Sequence, residues 1–285
     1  MDAAFTTPAT RLLVFTDLDG SLLDHDDYSF SAARPALDLL RQRHVPLIPT
    51  TSKTLAEMQV LQLSLHNTHP FIVENGSAIC IPRGYFAEPD HAEYENGYRL
   101  LRLAPAYAQV ITTLQRLRKR HGFRFRGFND MSTEEVALDT GLPEHDAALA
   151  RQRLCTEPLL WLDNAAAFER FDAELAAVGL RLLRGGRYWH VLSNADKATA
   201  MRELTALYEA AGHHGYTTVA LGDSPNDLAM LNAADIAVVI RHKDGAAMSF
   251  ESDKRCIVTE QTGPAGWNDA VIHLLNEMSQ AATAT

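Results

Sequence analysis

Residues 14–24, Val-Phe-Thr-Asp-Leu-Asp-Gly-Ser-Leu-Leu-Asp, constrain this chain most, because an apolar run ends in two carboxylates one residue apart and then a glycine. Arg11 to Thr16 is short, mostly apolar and closed by a turn signal, which predicts a strand buried in a parallel sheet. Asp17 and Asp19 then fall just past its carboxyl end, where open α/β sheets bind ligands. Gly20 permits the tight backbone a bound anion needs, and Ser21 adds a hydroxyl. A carboxylate placed there can attack phosphorus and carry the phosphoryl group while its neighbour handles a proton. An ordinary acidic turn would carry the same residues, so the rest of the chain has to decide.

A second acidic turn, Gly222-Asp-Ser-Pro-Asn-Asp-Leu228, again follows an apolar strand, Val219 to Leu221, and precedes a helix-like segment. With both strands in one sheet, Asp17, Asp19, Asp223 and Asp227 would repel one another unless a hard cation lay among them, and clustered oxygen ligands suit Mg²⁺. Taken singly, Asp223 reads equally well as a helix N-cap and Asp227 as a first-turn acid. Neither reading explains why both acidic turns close hydrophobic strands.

Two polar points lie between these turns. Thr50-Thr51-Ser52-Lys53 follows the strand-like Val45 to Pro49, and hydroxyls with backbone N–H groups at a helix start suit phosphate. The helix predicted over roughly 55–65 makes Thr51 or Ser52 equally good as a plain cap. Lys197 stands near the start of a helix running to about Gly212, where the macrodipole disfavours a cation, so it is a candidate partner for an anion or carboxylate.

The alternation of strand and helix patterns through Glu74 predicts a doubly wound parallel sheet. From Pro82-Arg-Gly84 the pattern changes. A helix near 104–121, a strand at 123–128, a Ser132-Thr-Glu-Glu135 capping box, a helix near 143–153, a strand at 159–162, a helix at 165–177 and strands at 180–184 and 188–192 together read as an α+β insertion. After Lys197 the first sheet resumes with 217–221, 236–239 and 256–258, and ends in a helix from about Trp267. Within the insertion, Arg126 and Arg187 stand beside turns and could grip a carboxylate or phosphate, or could equally be exposed residues at strand edges. Asn129, Asp130 and Glu157 could meet sugar hydroxyls or serve as caps. His190, alternating along a strand, reads as structural, and Gly185-Gly186 and Asn75-Gly76 carry hairpin signals.

A net charge of −10 argues against non-specific binding to nucleic acid or an anionic membrane. An anionic substrate would need a locally positive pocket. Cys80, Cys155 and Cys256 lie far apart, without metal-ligand spacing. No 18-residue apolar run suggests a membrane span and no signal peptide is evident, so the expected location is cytoplasmic. The first ten residues and the tail from Gln280 look frayed. Oligomeric state cannot be read.

Asp17-Leu-Asp-Gly-Ser21, the threonine-rich turn at 50–52, Lys197 and Gly222-Asp-Ser-Pro-Asn-Asp227, in that order, resemble the four motifs of the haloacid dehalogenase superfamily of phosphatases. Phe71-Ile-Val-Glu-Asn-Gly76, Thr51-Ser-Lys-Thr54, Arg126-Gly-Phe-Asn-Asp-Met131 and Gly185-Gly-Arg-Tyr188 look, more narrowly, like the mannosyl-3-phosphoglycerate phosphatase family. The resemblance implies a Rossmann-like core domain at 1–83 and 194–285 with an inserted cap at 84–193. It implies Asp17 as nucleophile, Asp19 as acid/base, and Thr51 or Ser52 with Lys197 and Asn226 around the phosphoryl group. The metal set would be Asp17, the Asp19 backbone carbonyl and Asp223, with Asp227 in support. Cap residues Arg126, Asn129 and Arg187 would meet the substrate. The superfamily's usual threonine-glycine-arginine turn reads Thr51-Ser52-Lys53, which leaves the phosphate-holding hydroxyl open between Thr51 and Ser52. The expected function is Mg²⁺-dependent hydrolysis of mannosyl-3-phosphoglycerate to mannosylglycerate, a compatible solute, through an aspartyl phosphate. Alternatives are the glucosyl compound or another sugar phosphate as substrate, a catalytically silent sugar-phosphate binder, or a phosphotransferase.

Overall fold

The computed structural model describes residues 11–185, 187–212, 215–250 and 253–283. The first ten residues, Gly186 of the predicted Gly-Gly turn and the end of the tail lie outside the described residues. The first half of the chain runs β1 (Arg11–Thr16), α1 (Arg34–Gln42), β2 (Leu47–Pro49), α2 (Leu55–Leu65), β3 (Phe71–Val73), β4 (Ala78–Pro82), β5 (Glu93–Glu95), β6 (Tyr98–Arg102), α3 (Tyr107–His121), β7 (Phe125–Gly127), α4 (Thr133–Thr140) and α5 (Glu144–Ala150). It continues with β8 (Glu157–Trp161), α6 (Ala165–Ala176), β9 (Leu180–Gly185), β10 (Tyr188–Ser193), α7 (Lys197–Ala210), β11 (Tyr216–Gly222), α8 (Leu228–Ala233), β12 (Ile236–Arg241), β13 (Arg255–Thr262) and α9 (Gly263–Thr283).

Two compact units divide these elements. The first holds the described residues up to Thr50, Gly84–Glu88 and those from Met201 onward; the second holds Thr51–Arg83 and Pro89–Ala200. In the first, five strands in the order β13-β12-β11-β1-β2 form a parallel sheet. Leu12 to Thr16 are buried without interruption, the pattern of a strand covered on both faces. The helices α1, α8 and α9 pack in the same unit, α8 on β11 and β12, α9 on β12, β13 and α1. The fold is α/β with a parallel sheet, as expected.

The second unit is α+β. Strands β7-β8-β10-β9 form an antiparallel sheet. One side of it, with Leu159, Val191 and Leu180, packs on Val110, Leu114 and Leu117 of α3 and Phe171 and Leu175 of α6. Tyr188 packs instead with Phe128, Met131, Val136 and Ala147 around α4 and α5. Ser132 and Glu135 form the predicted capping box.

Three expectations change. The alternation through Glu74 predicts Phe71–Val73 as a further parallel strand, but β3 pairs antiparallel with β4 in a separate sheet, β3-β4-β6-β5. Only residues 74–77 separate the two strands, and so short a link can join antiparallel but not parallel neighbours. Residues 51–83, attached to the first domain by the sequence reading, accordingly lie in the second unit. Strands β5 and β6 fall where no strand is expected, since Glu93–Glu95 has no apolar alternation to reveal it. Finally, α9 begins at Gly263 rather than Trp267.

Candidate active site

In the parallel sheet, chain order runs outward from β1 to β2 on one side and from β11 through β12 to β13 on the other, so the topological switch point lies between β1 and β11. Both acidic turns leave the sheet there. The Asp17 N–H donates to the Leu221 carbonyl at 2.8 Å, which carries the ladder one residue beyond the strand before the backbones part. Two glycines let the turns close, Gly20 against the second turn and Gly222 within its own. Gly20 has φ +84°, and a Cβ on it would stand 2.5 Å from Asp223 Oδ2; a Cβ on Gly222 would stand 2.6 Å from Asp227 Cγ. No larger residue fits either place.

The result is a trio of buried carboxylates. Asp17, Asp223 and Asp227 each offer an oxygen within 4.8 Å of the others, and they are 6%, 8% and 0% exposed. Asp227 Oδ2 accepts the N–H groups of Asp223 and Ser224, each at 3.2 Å, and the Ser224 hydroxyl at 3.2 Å, which locks the second turn. Ser21 Oγ donates to Asp223 Oδ1 at 3.3 Å. Three carboxylates this close and this dry repel one another unless a cation lies among them. An all-oxygen set of this kind fits a hard divalent ion. The trio does not include the side chain of Asp19, whose backbone sits in a bridge with Leu23. Ser224 Oγ is bonded to Asn226 Oδ1.

A contact absent from the sequence reading supports Asp17 from behind. The fully buried Trp267 of α9 donates its indole N–H to Thr16 Oγ1 at 2.9 Å, and Thr16 Oγ1 donates to the Asp17 carbonyl at 2.7 Å. This short relay holds the backbone that presents the Asp17 carboxylate. Its only sequence signal is a tryptophan in an amphipathic terminal helix.

In the second unit the cap of α2 is Thr54, which forms a capping box with Glu57. Neither Thr51 nor Ser52 fills the plain capping role. Thr51 is buried, with its hydroxyl accepting the Lys53 N–H at 3.2 Å. Lys197 is 1% exposed at the first position of α7, and Asp196 caps that helix through the Thr199 N–H at 2.7 Å.

The candidate cap residues do not converge. Arg126, half-buried, pairs with Glu135, and the exposed Arg187 with the carbonyl and carboxylate of Asp139, so both arginines are engaged with α4. The Asn129 N–H donates to Glu157 Oε1 at 2.9 Å, while the Tyr107 hydroxyl donates to Oε2 at 2.7 Å. Glu157 is thus buried and fully engaged within the fold, contrary to a role at sugar hydroxyls. Burial pushes its carboxyl up to about 7, against the two hydrogen bonds that favour the charged form. Asp130 is likewise tied, to Arg118 at 2.5 Å and the Gly127 N–H at 2.9 Å. Burial, helped by the charge of Arg153, lowers His190 to about 3, which keeps it neutral, as a structural residue would be. Cys80 and Cys155 are buried free thiols, and Cys256 is an exposed one. Among the described residues no helix is long and apolar enough to cross a membrane.

The profile of the haloacid dehalogenase-like hydrolases matches residues 167–248. A relative named glucosyl-3-phosphoglycerate/mannosyl-3-phosphoglycerate phosphatase, from Methanococcoides burtonii, is 41% identical over 93% of this chain and 97% of its own. A relative of the same name from Persephonella marina is 34% identical over 94% of this chain and 99% of its own. In fold, the chain is similar to a phosphatase of the haloalkanoate (HAD) superfamily from Bacteroides thetaiotaomicron, with a TM-score of 0.61 at 17% identity, covering 95% of this chain and 98% of that one. With the acidic turns at the switch point and relatives this similar along nearly the whole length, the chain belongs to the haloacid dehalogenase-like hydrolases and, within them, to a family of phosphatases.

Proposed function

We propose that this protein is a Mg²⁺-dependent phosphatase that hydrolyses mannosyl-3-phosphoglycerate to mannosylglycerate in the cytoplasm, and that glucosyl-3-phosphoglycerate is its second substrate. The buried trio of Asp17, Asp223 and Asp227 carries the reading, and both curated relatives bear the two substrates in their names. Asp17 attacks phosphorus in line, while Asp19 protonates the departing alkoxide and afterwards takes a proton from the water that releases phosphate. This divides one difficult displacement into two easier ones. Asp17, Asp223 and the Asp19 carbonyl, with Asp227 in support, would hold a Mg²⁺, which would supply neutralising charge to the phosphoryl oxygens. Thr51, Ser52, Lys197 and Asn226 bind the remaining oxygens. Residues 84–193 select the alcohol; Arg126 and Arg187 contact it on leaving their carboxylate partners on α4, and Asn129, bonded to Glu157 through its backbone N–H, contacts it through its side chain.

The test is phosphate release by the purified chain with Mg²⁺ and with EDTA. It compares mannosyl-3-phosphoglycerate, glucosyl-3-phosphoglycerate, 3-phosphoglycerate and mannose 6-phosphate, with Asp17→Asn as control. EDTA-sensitive turnover of the two glycosyl compounds, reduced below about 0.1% in Asp17→Asn, is the expected outcome. Equal rates on all four compounds would refute the substrate assignment. No phosphate release at all would favour a silent binding protein.

A further inference from the structure

Glu74 is a buried carboxylate of the second unit that accepts four hydrogen bonds, and the proposed reaction makes no use of it. It is 0% exposed. Its oxygens accept the N–H groups of Leu154 at 2.5 Å, Cys155 at 3.0 Å and Thr156 at 2.8 Å, and the Thr156 hydroxyl at 2.7 Å. Arg153 Nε stands 3.7 Å away. The backbone carrying this side chain is left-handed over three successive residues, with φ of +52° at Glu74, +58° at Asn75 and +94° at Gly76. L-residues avoid that region, and a conformation of this cost persists where its surroundings over-determine it, often at a functional site.

What the conformation accomplishes is visible on the other side of the segment. The Glu74 N–H donates to the Lys53 carbonyl at 3.0 Å and the Asn75 N–H to the Thr51 carbonyl at 2.8 Å. Arg153 Nη2 donates to the Ser52 carbonyl at 3.3 Å. All three carbonyls of the Thr51–Lys53 turn are therefore taken by this one assembly. A trans peptide points its N–H opposite to its carbonyl, so the N–H groups of Ser52 and Lys53 are aimed away from it. Gly76 in turn lies against the start of α7, where a Cβ would stand 2.7 Å from the Lys197 nitrogen and closer still to the Asp196 carbonyl oxygen.

We propose that Glu74, anchored by the 154–156 loop and paired with Arg153, is a positioning residue that holds the Thr51–Lys53 turn and the Lys197 helix start as one phosphate-gripping frame. The proposal rests on the phosphatase reading, in which those groups bind the phosphoryl oxygens. It requires that loosening Glu74 weaken phosphate recognition while sparing the metal site, whose carboxylates come from other segments.

The test uses the full chain with Glu74→Gln, Arg153→Met, Arg153→Lys and Thr156→Val. Four quantities are measured: kcat/KM on mannosyl-3-phosphoglycerate, the inhibition constant of inorganic phosphate, the Mg²⁺ concentration for half-maximal rate, and Tm. Glu74→Gln and Arg153→Met should each lower kcat/KM about 100-fold, the scale of an ångström of misplacement. Phosphate should inhibit about 10-fold more weakly, half-saturation by Mg²⁺ should move less than about 2-fold, and Arg153→Lys should recover most of the loss. Should Glu74→Gln fail to fold, Thr156→Val, which removes one of the four bonds, must show the same effects in smaller degree. An active wild type whose variants keep kcat/KM and phosphate inhibition within about 2-fold, whatever happens to Tm, overturns the positioning role alone. A wild type that releases no phosphate overturns the phosphatase reading and this proposal with it.

Discussion

Replacing Glu157 by Gln should change how the stability of the second unit depends on pH. Glu157 is 1% exposed, with one oxygen on the Asn129 N–H and the other on the Tyr107 hydroxyl. Both partners are neutral, and burial outweighs them, so the carboxyl is pushed up to about 7 from an ordinary 4.5. Below the unfolded value both states carry the proton and the native state has its full stability. As pH rises through the window from about 4.5 to 7, the unfolded chain releases the proton first, and stability is lost until the native carboxyl also ionises. From low to high pH the full loss is about 3 kcal/mol, of which about 2.5 kcal/mol falls between pH 5 and pH 8. Glutamine has the same shape, keeps an acceptor for Asn129, and does not titrate.

The assay is urea denaturation of wild type and Glu157→Gln at pH 5, 6.5 and 8, followed by tryptophan fluorescence, since Trp161 and Trp189 both pack on the core of this unit. The difference in unfolding free energy should shift in favour of the variant by about 2.5 kcal/mol between pH 5 and 8. A difference constant to within about 0.5 kcal/mol would refute the argument that burial controls this carboxyl.

Gly20→Ala should raise the Mg²⁺ concentration for half-maximal turnover by about 10-fold or more, because its backbone is left-handed and its Cβ would press on Asp223 Oδ2; a titration of rate against Mg²⁺ checks this, and an unchanged midpoint would contradict it. Trp267→Phe should lower stability by about 1 kcal/mol, since it removes the buried donor to Thr16; it should also reduce kcat, as the Asp17 carbonyl loses the end of its relay. An effect on stability with kcat intact would separate the relay from catalysis.

Much of the site could be read from the chain itself. Asp17 and Asp223 were recognisable because an apolar run that ends in acid and glycine has few folded solutions, and two such runs in one parallel sheet bring their carboxyl ends to the same edge. Period and turn chemistry likewise located β1, β11, α6 and the Ser132 capping box, all of which depend on neighbours in sequence. Lys197 stood out because it begins a helix against the macrodipole.

What the sequence could not determine were contacts between residues far apart along the chain. Asn75-Gly76 carries a hairpin signal, yet the left-handed run that begins at Glu74 owes its stability to N–H groups about 80 residues away. Arg126 and Arg187 read equally as grips for a carboxylate or phosphate and as exposed residues at strand edges, and tertiary packing pairs each with a carboxylate on α4. Glu157 could be read as a sugar ligand or as a cap, and β8 instead buries it against Gly127 and Asn129. The sequence by itself determined which residues must lie at strand ends, because local periodicity and turn preference act within a few residues. Only the tertiary structure decided which of the polar residues are engaged in holding the fold, because the desolvation of a charge depends on everything packed around it.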